Sequence, residues 1–207
     1  SLPILVAKKG VSIAVFSYTN LGYRDAYALP TAPGIARAAI ESLRKDIEQF
    51  RRFTDFVVVN LHWGDEYTNY PPEDQIELAR ALVDGGADAV IGHHSHVYQG
   101  IEVYRGKPIA YSVGNFLFGS KNEDIRDNIV MALYFGREGL SSMRVYPISG
   151  NTASHPFQPA RLSGRYAQDV LKHVLEISRP LKSDFSKKAV MDDSTLFYRF
   201  DTAPRQR

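Results

Sequence analysis

Alternation of apolar, strand-like runs with amphipathic, helix-like runs is the feature that most constrains the fold of this 207-residue chain. Residues 56–61 form a β-branched run that is apolar on both faces, as in a buried strand. Residues 73–83 follow two prolines and precede two glycines, which predicts a helix with a defined start and end. Residues 88–92 predict the next buried strand. This strand–helix–strand order is typical of an α/β fold with parallel strands.

The same alternation continues on both sides of this unit. Residues 4–16 predict a hairpin, and residues 35–50 carry apolar positions at helical spacing. Further strands are predicted over 101–104, 108–112, 128–135 and 140–148, and a further helix over 166–177. We therefore expect a layered sheet with helices 35–50 and 73–84 on one face. Residues 1–180 are interpreted as one domain, and residues 181–207 as a tail without an assigned structure.

Composition limits the chemistry that the chain can perform. It has no cysteine, which excludes disulfides, thiolate metal sites and cysteine catalysis. Any metal ion must therefore be held by histidine, carboxylate or amide groups. A net charge of +2 is too small to indicate a nucleic-acid partner. No apolar run is long enough to predict a transmembrane segment.

Four of the six histidines follow the two buried strands of the central unit. His62 comes at the end of the first strand, and His93, His94 and His96 come at the end of the second. Because parallel strands end at the same edge of a sheet, we expect His62, His94 and His96 to converge there. Neutral imidazole is a common metal ligand, so the cluster predicts a metal or phosphate-type site. The alternative is that these are ordinary surface or hydrogen-bonded histidines.

Residues beside the histidines are further candidates. Glu66, with Asp65, would orient a ligand histidine or act as an acid–base group, or else be a solvated loop charge. His93 should point away from its neighbour His94 on an extended segment, which favours contact with a ligand residue or with substrate over a role as a metal ligand. Trp63 either forms a wall of the pocket or packs against the sheet, and Asn115 could hydrogen-bond a substrate oxygen. We predict catalytic roles for Glu66 and His93, and substrate binding by Asn115 and Trp63.

Three motifs carry a family resemblance. They are Leu-His-Trp-Gly-Asp-Glu-Tyr at 61–67, Ala-Asp-Ala-Val-Ile-Gly-His-His-Ser-His at 87–96, and Gly-Lys-Pro-Ile-Ala-Tyr-Ser-Val-Gly-Asn-Phe-Leu-Phe at 106–118. In this order and spacing the chain resembles the CapA family, the bacterial poly-γ-glutamate capsule-synthesis proteins. The resemblance implies a calcineurin-like metallophosphatase fold, with a layered α/β sheet and flanking helices. It extends more loosely over residues 4–177.

The resemblance also implies a ligand set. By the family pattern His62 and His94 face one metal position and His96 the other, with Mn, Zn or Fe as the divalent ion. The bridging carboxylate and an Asn-His pair belong to an N-terminal βαβαβ half, which we expect to be missing before Leu2. We therefore interpret the chain as the C-terminal half of such a domain. It should bind metal weakly or not at all, have almost no activity on phosphodiesters, and form a dinuclear centre only with the other half.

The function implied by the resemblance is biosynthesis or export of the capsule polymer poly-γ-glutamate, with a metallophosphatase-like histidine site. The implied partners are other capsule-synthesis or export components, at the cell surface or outside the cytoplasm. The alternative is a metal-dependent phosphoesterase or hydrolase acting on another phosphoester or cell-surface polymer. A half-domain should also expose an apolar sheet face. We expect a second copy, an upstream segment or the aromatic tail at 197–200 to cover it.

Overall fold

The computed structural model describes residues 2–22, 26–118, 125, 127–150 and 158–201, and shows a mixed α/β fold with two sheets and flanking helices. The strands are β1 (Ile4–Lys8), β2 (Val11–Thr19), β3 (Phe56–His62), β4 (Ala89–His93), β5 (Ile101–Tyr104), β6 (Lys107–Ala110), β7 (Asp127–Gly136), β8 (Gly139–Ser149), β9 (Ala160–Arg161), β10 (Val190–Met191) and β11 (Leu196–Arg199). The helices are α1 (Ile40–Arg51), α2 (Glu73–Asp84), α3 (Gly164–Ser178) and α4 (Phe185–Lys188). The predicted α/β class is confirmed.

The first sheet has six strands in the order β1-β2-β3-β4-β6-β5. The four inner strands β2, β3, β4 and β6 are parallel, and an antiparallel hairpin strand closes each edge. The apolar run of β3 lies between two parallel neighbours, as its sequence predicted. Because β2, β3 and β4 run in the same direction, their last residues lie side by side at one edge of the sheet.

Helices α1 and α2 cover one face of this sheet and enclose the first core. Leu43 and Ile47 of α1 and Leu82 of α2 are fully buried there against Val57 and Val59 of β3. This confirms the expected coverage of one face. The predicted helix start at residue 35 is wrong, because α1 begins at Ile40.

The residues just before α1 are extended because they pair with other segments. Ile35 forms a bridge with Tyr27, and Arg37 forms one with Thr19 at the end of β2. The backbone N–H of Thr19 also donates to the carbonyl of Ala36 at 3.0 Å. The apolar residues over 35–39 therefore have helical spacing, although their backbone is not helical.

The second sheet has the order β10-β11-β8-β7, with β9 paired to β8. Its core includes Val170 and Leu171 of α3 and the buried residues Phe185, Tyr198 and Phe200. From Phe185 onward, the described part of the predicted tail therefore belongs to the second layer and contains α4, β10 and β11, whereas Leu181 packs in the first core. Residues 202–207 lie outside the described part of the chain.

An open groove lies between the first sheet and β7. Its volume is about 570 Å³, and its walls are mostly apolar, with Val15, Val58 and Ile91 on one side and Met131 and Leu133 on the other. The edge strand β1 is exposed along its whole length. The side chains of Ile4 and Val6, 70% and 47% exposed, extend the apolar surface of the same sheet. One part of the first sheet is therefore only partly covered.

A close approach at Gly92 fixes the packing between β4 and the segments beside it. A Cβ atom at this position would lie 1.8 Å from the carbonyl oxygen of Tyr111 and 2.5 Å from Nε1 of Trp63. The indole N–H of Trp63 donates to that same carbonyl at 2.9 Å. Glycine is therefore required for this buried hydrogen bond.

We expect Gly92→Ala to lower the free energy of unfolding by about 3 kcal/mol or more, because the added methyl group meets backbone that cannot move away cheaply. Gly136→Ala is the matched control, since its Cβ would have its nearest neighbour at 3.9 Å, and it should change stability by less than about 0.5 kcal/mol. Urea denaturation measures both. Equal stabilities of the two variants would contradict the packing argument.

Candidate metal centre

The parallel pairing of β3 and β4 brings the histidine-bearing strand ends together. His62 is in register with His93, and Thr19 of β2 is in register with His62. The hydroxyl of Thr19 donates to the carbonyl of His62 at 2.8 Å, and the N–H of Trp63 donates to the carbonyl of His93 at 3.1 Å. These bonds hold the ends of all three strands in place.

Three side chains at this edge project from backbone in the left-handed region. The φ angles are 103° at His94, 60° at His96 and 61° at Tyr67. This conformation is unfavourable for residues other than glycine, and it often marks functional sites. The N–H of Tyr67 donates to the carbonyl of Ser95 at 2.8 Å, which ties the loop after β3 to the loop after β4. Both loops thus turn toward a common point.

Glu66, His94 and His96 form a compact group of donor atoms. One carboxylate oxygen of Glu66 lies 3.9 Å from Nε2 of His94 and 3.7 Å from Nε2 of His96, and one ligand atom from each residue lies within 4.8 Å of the others. Ligand atoms about 2.1 Å from a tetrahedral zinc ion are about 3.4 Å apart. Two imidazole nitrogens and a carboxylate oxygen at these separations fit a divalent transition metal.

His62 lies beside this group, but it contacts a ring nitrogen of His94 instead of facing Glu66. Its Nε2 lies 3.1 Å from Nδ1 of His94, a hydrogen-bond distance, and the two ring centroids are 4.7 Å apart. The three predicted histidines therefore lie together at the sheet edge. However, the Nε2 atoms of His94 and His96 face one carboxylate, that of Glu66. The family pattern had placed His94 with His62 and had given His96 a separate position.

Asn115 lies against His96. Its side-chain oxygen is 3.0 Å from Nδ1 of His96, and its amide nitrogen donates to the carbonyl of His96 at 3.2 Å. The rings of Tyr67 and Phe118 also pack on the His96 ring, with centroids 5.7 and 4.7 Å away. Asn115 was predicted to bind substrate, whereas its side-chain contacts in the structure are with His96.

The two remaining predicted residues lie outside the donor group. Trp63 is only 1% exposed and packs in the first core, which favours the packing alternative over a pocket wall. His93 is partly buried and lines the polar end of the groove, together with Asn60 and Asn115. Tyr67 had no predicted role, although it is the last residue of the 61–67 motif. Its exposed ring beside His96 was not evident from the sequence.

Burial and repulsion between neighbouring rings favour the neutral form of His62, His93 and His94. Burial is the main cause that lowers the pKa of His62 below its ordinary value of 6.5, and the neighbouring His94 and His96 add to it. Burial also lowers the pKa of His94, against the opposing effect of Glu66. Burial, and then His62, lower the pKa of His93. At neutral pH each of these rings therefore keeps one unprotonated nitrogen, and in the His62–His94 pair one of those nitrogens accepts the hydrogen bond from the other ring.

Comparison with known proteins identifies the family. The sequence profile of the bacterial capsule synthesis protein PGA_cap family matches residues 1–120, a range that holds all of the residues of the candidate metal centre. The chain belongs to this family.

Relatives of this PGA_cap chain include two from Bacillus. It is 35% identical to the PGA biosynthesis protein CapA of Bacillus subtilis over 192 residues, which cover 93% of this chain and 48% of the relative. It is 35% identical to the capsule biosynthesis protein CapA of Bacillus anthracis over 68% of this chain and 35% of the relative. A probable polyglutamine synthesis accessory protein of Mycobacterium tuberculosis is 34% identical over 55% of this chain and 29% of the relative.

The PGA_cap chain spans about half the length, or less, of these relatives. Among its described residues, no helix has both the length and the apolar character needed to cross a bilayer.

Removal of one ring from the cluster should shift the titration of its neighbour. In His94→Gln we expect the pKa of His62 to rise part of the way toward 6.5, because the repulsion from His94 is lost while the burial remains. Two-dimensional NMR of the imidazole C–H groups across a pH series measures this. His173→Gln, on α3 beside Tyr98, is the control and should leave His62 unchanged. A His62 titration that is the same in all three proteins would contradict the assignment.

Proposed function

We propose that the chain is the metal-binding part of an accessory protein for capsule polymer synthesis or export, with poly-γ-glutamate as the polymer. The main support is the Glu66–His94–His96 donor group inside the part of the chain that matches the family profile. The names of the Bacillus relatives support the polymer class. Its partners would be other components of the same synthesis or export assembly.

The proposed architecture is that of the calcineurin-like metallophosphatases. Two sheets with flanking helices, and histidines at the ends of adjacent parallel strands, are consistent with it. A dinuclear centre of that kind needs several carboxylate ligands. The donor group found among the described residues contains one carboxylate, that of Glu66. We therefore propose one metal position in this chain, and a second only where residues beyond these 207 supply further ligands.

The proposed ligands are Glu66, His94 and His96, with His62 holding His94 through their nitrogen contact or serving a second position. A bound Mn, Zn or Fe ion would polarise a substrate oxygen or lower the pKa of a bound water. His93, at the polar end of the groove, is our candidate for proton transfer. Its lowered pKa would leave it neutral and able to accept a proton near pH 7.

A metal-dependent phosphoesterase or hydrolase is the second candidate function. The observation that favours it is the accessibility of the donor group, since the Glu66 side chain is 48% exposed while both histidine partners are largely shielded. An exposed ligand leaves room for an exchangeable group on the ion. Turnover of a generic phosphodiester by the metal-loaded protein would support this candidate. Metal binding without turnover would support a non-catalytic role in the assembly.

We also propose that further protein covers the groove between the first sheet and β7, either a second copy of the chain or polypeptide beyond these 207 residues. The apolar walls of the groove and the exposed strand β1 support this, because contiguous apolar surface of this kind is uncommon on monomers. Tyr198 and Phe200 of the aromatic tail, the third candidate for this cover, pack instead in the second core.

Metal titration tests the proposed ligands. We expect the chain to bind one Zn²⁺ or Mn²⁺ ion, and Glu66→Gln and His96→Ala each to lower the affinity at least about tenfold, because each removes one of three ligands. Isothermal titration calorimetry measures the affinity and the number of sites. His173→Ala, which lies outside the donor group, should bind like the unmodified protein. Undiminished affinity in both Glu66→Gln and His96→Ala would rule out this centre.

Self-association or dye binding tests the proposed cover. We expect the 207-residue chain either to sediment as a dimer or to bind an apolar fluorescent dye. The double variant Val15→Gln, Leu133→Gln should lose whichever of the two is observed, because both residues line the groove. Phe53→Ser is the control, since this residue is 76% exposed at the end of α1. A monomer that binds no dye would show that the groove needs no cover.

A further inference from the structure

We propose that Asn128, on β7 of the second sheet, is a positioning residue for the candidate metal centre. It acts through Asn115, whose amide holds His96 in the tautomer that leaves Nε2 free to bind a cation. This inference rests on the proposed metal site. It assigns to a residue of the second sheet a role in positioning His96, one of the proposed ligands. Neither asparagine is among the proposed ligands.

The orientation of the Asn115 amide follows from its two contacts with His96. Its nitrogen lies 3.2 Å from the backbone carbonyl of His96, and a carbonyl can only accept a hydrogen bond. The NH₂ group must therefore be on that side, and the oxygen faces Nδ1 of His96 at 3.0 Å. Because an amide oxygen also only accepts, Nδ1 must carry the proton.

A neutral imidazole has one proton, so protonation of Nδ1 leaves Nε2 with its lone pair. That nitrogen lies 3.7 Å from a carboxylate oxygen of Glu66, which is also an acceptor. Both atoms are acceptors, and a cation between them would be bound by both. In metal sites, a ligand histidine is commonly held in this way by a hydrogen bond to its other ring nitrogen.

Asn128 fixes the backbone from which the Asn115 side chain extends. Its side-chain oxygen accepts the N–H of Asn115 at 2.6 Å, and its amide nitrogen donates to the carbonyl of Ile125 at 3.4 Å. Asn128 is fully buried. The chain leaves room for it at Gly114, where a Cβ atom would lie only 2.2 Å from the Asn128 oxygen.

The neighbouring backbone strengthens this connection between layers. The N–H of Ile129 donates to the carbonyl of Val113 at 3.1 Å, and the N–H of Val113 donates to the carbonyl of Gly92 on β4 at 3.0 Å. Residues 113–115 are thus held from both sides, by β7 of the second sheet and by β4 of the first. A shift of β7 would be transmitted to His96 through Asn115.

The tautomer of His96 gives a readout that does not depend on bound metal or on activity. Nitrogen-15 NMR distinguishes a protonated from an unprotonated ring nitrogen. In the metal-free protein, at a pH where the ring is neutral, we expect Nδ1 of His96 to be protonated. In Asn115→Ala and in Asn128→Ala we expect a mixture of the two tautomers, whereas Asn115→Asp keeps an acceptor and should keep Nδ1 protonated.

The second readout is the affinity for Zn²⁺ and Mn²⁺, measured by calorimetry. We expect both alanine variants to bind about 10 to 100 times more weakly than the unmodified protein. Asn60→Ala is the matched control, because Asn60 lies on β3 in the same groove and its side chain contacts Ser17. It should change neither the tautomer nor the affinity. Circular dichroism establishes that each variant is folded, and Asn115→Ala tests the relay to His96 even if Asn128→Ala does not fold.

The outcomes separate this inference from the proposed function. Protonation of Nε2 in the unmodified protein, or an unchanged tautomer in both alanine variants, would overturn the positioning role. Metal binding of unchanged strength in folded Asn128→Ala would overturn the part assigned to Asn128. A tautomer that shifts as expected in a protein that binds no metal would leave the positioning role standing, and would contradict the metal site alone.

Discussion

The parallel pairing of β2, β3 and β4 is the interaction on which the rest of the structure depends. It places Thr19, His62 and His93 side by side at the ends of three strands. The three proposed ligands follow from that line, since the loops that carry Glu66, His94 and His96 leave from β3 and β4. The ladder itself is stabilised by the burial of its apolar residues under α1 and α2. The stability of the first core and the geometry of the centre therefore have a common origin.

The sequence was sufficient to predict the sheet, its helices and the meeting of the histidines, because each depends on a local pattern. Buried strands have apolar residues on both faces, and parallel strands must end at one edge. The start of α1 was not predictable in this way. Residues 35–39 have helical spacing, but Ile35 pairs with Tyr27 and Arg37 with Thr19, and the spacing of apolar residues does not indicate such pairing.

Details of the centre were less predictable because they depend on backbone angles and on contacts between layers. The backbone at His94 and His96 is left-handed, and no pattern of residue types indicates this conformation. Asn115 was selected for its place after a strand, yet its side chain is used by His96. Trp63 was also a candidate for substrate binding, but its indole is buried and donates to the carbonyl of Tyr111. This hydrogen bond depends on the absence of a side chain at Gly92.

Trp63 is the single tryptophan of the chain, and it directly follows His62. Its indole is buried and hydrogen-bonded, an environment in which tryptophan fluorescence is shifted to the blue relative to water. The loop that begins at this residue continues to Glu66 and Tyr67. The protein therefore has an intrinsic optical reporter next to the candidate centre. Changes in this loop, whether from an ion, a ligand or a partner, can be followed by emission spectroscopy without attaching a label.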